Sequence, residues 1–239
     1  FEREQKEKMF LHAKTLLNTI FLLTKYTFAF ILVAVWGDSL KEDKVIVSIM
    51  GPSGSGKTTL TDNLILNHDI VVPRHVTTRE ARSDDKPGFY RYIEYLEFLK
   101  LVNNQQFLIA SSDGIRGYGV LRNDCFNAFE NADTLLINSS YKDILQLKHL
   151  EIPVRLVVLT FQDIEKGIRE RIVNSSRNHN ASDIRYRVES ALEDHEKYFN
   201  EVSQFSLATI YTDVSNKEET YRVAEEAIGF EPNVRKRVK

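Results

Sequence analysis

A single cysteine, Cys125, stands in a chain of 239 residues, so no internal disulfide can form. A reducing, cytosolic setting fits that composition, and Cys125 reads as a small buried residue rather than a nucleophile. An excess of positive charge is also missing. The 32 Lys and Arg face 34 Asp and Glu, giving a formal net charge of −2. The chain therefore lacks the global basic field that nucleic-acid binding relies on, and any anion site must be a local cluster of Arg and Lys. No Cys/His spacing of the zinc-binding kind occurs, and His12, His68, His75, His149, His179 and His195 are scattered as ordinary surface or core residues would be. Internal repeats and low-complexity segments are absent. With 42% hydrophobic and 28% charged residues, the chain is not wholly disordered. Its length suits one globular domain of about 150–200 residues with an extension.

The extension is residues 1–43. A mixed-charge start, FEREQKEK, leads into an apolar run from Thr15 to Trp36 and then a charged connector, GDSLKEDK. As a helix rising about 1.5 Å per residue, that run is long enough for a bilayer core of about 30 Å. Lys25 sits near its middle, and a central Lys costs about 2.5–3.5 kcal/mol, whereas each Leu, Ile or Phe returns about 0.3–0.6. The balance is marginal, and three readings stay open: a membrane anchor through 15–36, a helix packed on the domain or a partner, and non-native sequence, since the chain begins with Phe1. No small-x-small cleavage site follows the apolar core, which disfavours a cleaved signal peptide. With an anchor, the remainder of the chain would still face the cytoplasm.

From Lys44 onward apolar strand patterns alternate with helical ones. Lys44–Met50, Leu135–Ile137, Val154–Leu159 and Ala208–Tyr211 read as strands. Lys57–Leu66, Lys142–Leu150, Gln162–Val173, Asp183–Asn200 and Glu218–Ile228 read as helices. This order predicts an α/β fold with a mostly parallel sheet flanked by helices. Between 77 and 120 the alternation breaks into short strands and loops, which predicts an inserted subdomain. The tail 231–239, ending in RKRVK, is a small basic cluster of the kind usual at a solvated terminus.

The strongest motif is Gly51-Pro52-Ser53-Gly54-Ser55-Gly56-Lys57-Thr58, a full G-x-x-x-x-G-K-[ST] between an apolar strand and a helix. The glycines let the backbone curl so that successive N–H groups face phosphate oxygens, and the helix starting at Lys57 adds its positive end. Lys57 is expected to reach the β- and γ-phosphates of ATP, and the Thr58 hydroxyl to ligate Mg²⁺. The expected nucleotide-binding set is Gly51, Ser53, Gly54, Ser55, Gly56, Lys57, Thr58 and Thr59. Downstream, Arg79 and Arg82 are spaced to bracket one phosphate. Tyr90, Tyr92 and Gly117-Tyr118-Gly119-Val120 could add hydroxyl donors, with the glycines permitting close approach.

Taken in order, the P-loop, Thr77-Thr78-Arg79-x-x-Arg82, the aromatic Tyr90-x-Tyr92, the Tyr118-Gly119 turn and an Arg-bearing lid resemble the guanylate-kinase-like family of P-loop kinases, over about residues 44–230. The resemblance implies a P-loop NTPase fold with an acceptor-binding insert (77–120) and a helical lid (173–187). It implies an ATP- and Mg²⁺-dependent phosphotransferase that moves the γ-phosphate of ATP to a small acceptor already carrying a phosphate, a nucleoside monophosphate such as GMP. By position it makes Arg79, Arg82, Tyr90, Tyr118 and Gly119 the acceptor side. Arg171, Arg177 and Arg187 become the lid cations that act with Lys57 on the transferring group. Arg169 and Arg185 fit a solvated helix face equally well.

The departures are as informative. In guanylate kinases a Glu before the Y-G turn and Asp residues after the next strand recognise guanine. Here Ile109 takes the Glu position, and the L-D-x-D segment becomes Leu136-Ile137-Asn138-Ser139-Ser140; Val120 replaces a small hydroxyl residue. A sister branch, ribose 1,5-bisphosphate phosphokinase, resembles the chain at Tyr118-Gly119-Val120, in Leu-Leu-Ile-Asn-Ser-Ser and in Asn180-Ala181-Ser182-Asp183-Ile184, and needs no guanine-reading acids. Two further readings are a non-catalytic interaction module, which has no need of the Lys57-Thr58 pair, and an ATPase or GTPase switch. The switch is disfavoured because Asn138 stands where a Mg²⁺-binding Asp would end a strand.

Overall fold

The computed structural model describes residues 44–230 apart from 84, 113, 115, 151 and 174–180, with no account of the side chains at 172, 173 and 183. The readings made of the extension 1–43, of the tail 231–239 and of Arg177 lie outside the described residues. Among the described residues, no helix is long and apolar enough to cross a membrane. In chain order the elements are β1 (Val45–Met50), α1 (Lys57–Asn67), β2 (His75–Thr77), β3 (Tyr90–Tyr92), α2 (Tyr95–Asn103), β4 (Phe107–Ser112), β5 (Gly117–Leu121) and α3 (Arg122–Phe129). There follow β6 (Thr134–Ser139), α4 (Tyr141–Leu147), β7 (Val154–Thr160), α5 (Ile164–Val173), α6 (Ala181–Ser203), β8 (Ser206–Tyr211) and α7 (Lys217–Ile228).

The run VIVSIM of β1 is buried at every position. A strand apolar on both faces must be an interior strand. It pairs in parallel with β6 on one side and β7 on the other, and β8 adds to β7, again in parallel. The order is β6-β1-β7-β8. Alternation along the strands sends Val47, Ile49, Leu136, Val157, Leu159 and Ile210 to one cluster with Leu60 and Leu64 of α1 and Ala224 and Ile228 of α7. The alternate set, Ile46, Met50, Leu135, Ile137, Leu156 and Val158, is equally buried, so the sheet is covered on both faces. Ser48 intrudes polarity into this interior, and its hydroxyl pairs with that of Ser139 at 2.6 Å. That bond relieves the cost of burying either group alone.

Side chains close the ends of several elements. Ser140 and Asp143 form a reciprocal capping box at the start of α4. Asn216 accepts from the Glu219 amide to open α7, and Gly229, at φ 83°, closes it. Lys44 donates to the carbonyls of Phe129 and Ala132 after α3 and to Asp133, at 2.5, 2.9 and 2.7 Å. Those bonds fix the chain's entry into β1.

The broken alternation of 77–120 is a second, mixed sheet in the order β3-β2-β5-β4. Strands as short as three residues (β2 and β3) leave too little length for a period to be read. One face of this sheet packs Val76, Phe107 and Leu121 against Phe98 of α2. Gly117 and Gly119 serve this packing: an added Cβ would lie 2.7 Å from the ring of Phe98 at Gly117 and 2.7 Å from the ring of Phe107 at Gly119. Close packing of aromatic rings is thus one demand that Gly119 meets, apart from its expected place on the acceptor side. Cys125 is buried, and burial pushes its thiol up to about 12, as suits an inert core residue. His75 is also buried, stacked on Phe89 at 4.9 Å, and burial pushes its imidazole down to about 4.

Gly119→Ala should therefore destabilise the fold by about 1–3 kcal/mol through overpacking. A thermal unfolding midpoint equal to that of the unaltered chain would contradict this account of the glycine.

Candidate active site

The phosphate-binding loop is built by pressing backbone on backbone. An added Cβ at Gly51 would lie 2.1 Å from the Leu159 carbonyl oxygen, so only glycine lets the end of β1 lie against the end of β7. Gly56, at φ 95°, turns the chain into α1 without a side-chain cap, and no acidic residue stands in the first turn. The amides and positive end of α1 are left for an anion. The Lys57 ammonium donates to the carbonyls of Gly51 and Pro52 at 2.7 and 2.8 Å, and burial pushes it down to about 8. It is still mostly protonated at neutral pH. Ser55 is buried, and its hydroxyl has no hydrogen-bond partner among the described residues, an orphan donor that a phosphate oxygen would satisfy. Thr58 and Thr59 are exposed on the first turn of α1.

Two of the expected lid arginines reach this loop. Arg187 of α6 donates to the Ser53 hydroxyl at 3.0 Å. The stem of Arg171 lies against Gly54, where an added Cβ would be 2.8 Å from it, and its guanidinium donates to the Thr212 carbonyl at 2.8 Å. Arg169 and Arg185 instead pair with Glu165 and Glu189 one turn away on exposed helix faces, at 2.8 and 2.7 Å. Those pairs fit the solvated-face reading of both.

The register of the second sheet gathers the aromatic hydroxyls. His75 pairs with Tyr90, and Thr77 pairs with both Tyr92 and Tyr118. Paired residues share a face, so the three tyrosines stand together on the side of the sheet opposite the Phe98 core. Just past β2, Arg79 lies over the rings of Tyr90 and Tyr92, 4.6 and 5.7 Å from their centroids. Its guanidinium grips Asp85 with two bonds of 2.7 and 2.6 Å and donates to the Glu80 carbonyl at 2.8 Å. Asp85 also accepts from the Arg82 amide at 2.7 Å and the Tyr92 hydroxyl at 2.6 Å. The Arg79 bond above all holds the Asp85 carboxyl well below the usual carboxylate range. Burial works against the Arg79 charge, but Asp85 outweighs it and holds the guanidinium above its ordinary value. Lys86, next in the chain, pairs with Asp62 of α1, tying this loop to the helix that begins with Lys57.

A glycine-rich loop at the start of α1 and an arginine-tyrosine face thus stand on one domain, with Lys86 beside that face paired to Asp62 of α1. The family model described as Guanylate kinase matches residues 42–219. The chain belongs to the guanylate kinase family. Among its relatives, the guanylate kinase of Ehrlichia chaffeensis is 33% identical over 113 residues, 46% of this chain and 54% of that protein. The chain thus spans about half the length of that relative. The guanylate kinase of Caldanaerobacter subterraneus subsp. tengcongensis is 25% identical over 188 residues, 77% of this chain and 87% of the other. The crystal structure of guanylate kinase from Anaplasma phagocytophilum shares the fold with a TM-score of 0.56 at 20% identity, covering 78% of this chain and 85% of that one.

Against that family, the positions expected to read guanine have other occupations. Ile109 is buried, 2% exposed, on β4. The Asn138 side-chain amide oxygen (Oδ1) accepts from the Thr61 hydroxyl of α1 at 3.0 Å. Ser140 caps α4. Asp85 is the contributor that motif reading did not place beside Arg79. Its only sequence signal is an acid three residues after Arg82, in a polar turn, SDDKPG, that reads as an ordinary loop.

Lys57→Ala should leave the fold intact, since Lys57 touches only loop carbonyls, and should weaken ATP binding at least about ten-fold. Titration with a fluorescent ATP analogue checks this, and unchanged affinity would remove the loop from the site.

Proposed function

We propose that this chain is an ATP-dependent nucleoside monophosphate kinase that moves the γ-phosphate of ATP onto the phosphate of GMP. The observation that carries the reading is the pairing of two phosphate sites on one scaffold: the loop at Gly51–Thr58 and the Arg79–Tyr90–Tyr92–Tyr118 face. On this reading 44–230 is the kinase domain, 77–120 the acceptor-binding insert and 173–187 the lid. On the same reading the kinase domain is cytoplasmic.

In this scheme the loop amides, the Ser55 hydroxyl and Lys57 hold the ATP phosphates, with Arg171 and Arg187 over the γ-phosphate. The Thr58 hydroxyl would hold Mg²⁺, which would supply charge neutralisation for the ATP phosphates. Arg79, Arg82, Tyr90 and Tyr118 hold the acceptor phosphate. That phosphate is already ionised, so its oxygen attacks without a general base, and ADP leaves as charge spreads over the equatorial oxygens. The arginines act by neutralising that charge, and closure of lid and insert keeps water from competing as acceptor.

A second reading, phosphorylation of ribose 1,5-bisphosphate to 5-phosphoribosyl diphosphate, is favoured by one observation. Ile109, Asn138 and Ser140 offer no carboxylate to the N–H edge of guanine, and an unpaired buried donor costs about 1–3 kcal/mol.

Both readings are tested by ADP formation from MgATP by the full chain, with GMP, dGMP, AMP and ribose 1,5-bisphosphate offered separately. Turnover with GMP and dGMP is expected. Turnover with the ribose bisphosphate alone would establish the second reading, and none with any acceptor would overturn both. Arg187→Ala should lower kcat about 10²–10³-fold with little change in the KM for acceptor; an unaltered kcat would take Arg187 out of the transfer step.

A further inference from the structure

The acceptor face contains a carboxylate where a phosphate is to bind, and this needs a physical explanation. Asp85 is not a loose side chain that an incoming anion could push aside. Its side chain is 11% exposed and that of Arg79 is 7% exposed. Its own amide donates to the Arg82 carbonyl at 3.1 Å, closing a turn, while its carboxylate receives the Arg82 amide, the Tyr92 hydroxyl and two guanidinium N–H groups. Expelling it would leave a buried guanidinium without its counter-charge.

A long, flexible arginine set between two aromatic rings and a polar loop would otherwise sample many rotamers. Asp85 takes two of the five N–H donors that a guanidinium carries and the Glu80 carbonyl a third. The plane of the fork is thereby fixed over Tyr90.

We propose that Asp85 is a positioning residue for the acceptor phosphate, holding Arg79 in the one orientation from which it and Tyr90 meet that phosphate. The inference rests on reading the second sheet as the acceptor site. It implies that Arg79 contributes direction more than charge, because its charge is largely offset before the acceptor arrives. It also links the two Arg of the T-T-R-x-x-R segment, since one carboxylate bonds the side chain of Arg79 and the backbone of Arg82.

The test is steady-state kinetics of the full chain with its accepted acceptor, for Arg79→Ala, Asp85→Asn, Asp85→Glu and Arg79→Ala/Asp85→Asn, each checked for folding by thermal unfolding. Asp85→Asn should raise the acceptor KM about ten-fold or more while the ATP KM stays within about two-fold. Asp85→Glu should recover part of the loss, because it restores the charge on a slightly longer stem. In the Arg79→Ala background, Asp85→Asn should add no further effect, since a residue acting through another is silent once that other is gone. A fall in acceptor KM for Asp85→Asn would make Asp85 a competitor of the phosphate and overturn the proposal. An undiminished effect of Asp85→Asn in the Arg79→Ala background would also overturn it. If Arg79→Ala raises the acceptor KM and Asp85→Asn does not, the proposal alone fails; if Arg79→Ala leaves that KM unchanged, the acceptor-site reading fails with it.

Discussion

The contact between Gly51 and the Leu159 carbonyl sets the geometry of everything that follows. It brings the carboxyl ends of two parallel strands together with no side chain between them. The next residues must then turn back over the sheet before α1 can begin. That turn brings Gly54 and Ser53 to α5 and α6, where Arg171 packs on Gly54 and Arg187 bonds Ser53. The cradle and the cations above it are consequences of one close approach. Parallel sheets bind ligands at the carboxyl ends of their strands, where connecting loops diverge, and Met50, Ser139 and Thr160 mark that edge here.

The second sheet obeys a simpler constraint, the two-residue period of a strand. Its one face is spent on aromatic packing around Phe98, for which Gly117 and Gly119 are needed. The other face then holds Tyr90, Tyr92 and Tyr118 by register alone. Hydroxyls on a rigid sheet are inexpensive donors, because little freedom is lost when an anion binds them. Arginine is not rigid, and the Asp85 pair is the structural answer to that. An exposed ion pair would be worth little, but this one is largely shielded and fourfold hydrogen-bonded.

Much of this was legible in the residues. The phosphate loop was readable because its chemistry demands residue types at fixed spacing, and β1 because a strand buried on both faces has an unbroken apolar run. The expectation of a lid role for Arg187 came from resemblance, and the structure adds its bond to Ser53. Other features depend on contacts distant in the chain. Nothing in Gly119 itself tells that Phe107 lies against it, and nothing in SDDKPG tells that Asp85 turns inward. The residues left two readings open for Arg169 and Arg185, and their pairing with Glu residues one turn away appears only in the structure. The occupations of Asn138 and Ser140 were equally hidden, since a missing acid says nothing of what its replacement bonds.

The central claim is that the loop and the arginine-tyrosine face hold the two ends of one reacting pair. Adenosine and guanosine joined through five phosphates would engage both at once, and its binding to the full chain by isothermal titration is the most direct test. The account predicts affinity at least about a hundred-fold beyond that for ATP, lost in large part with either Lys57→Ala or Arg79→Ala. Affinity no greater than that of ATP, and indifferent to Arg79, would mean that the two phosphate sites do not serve one reaction.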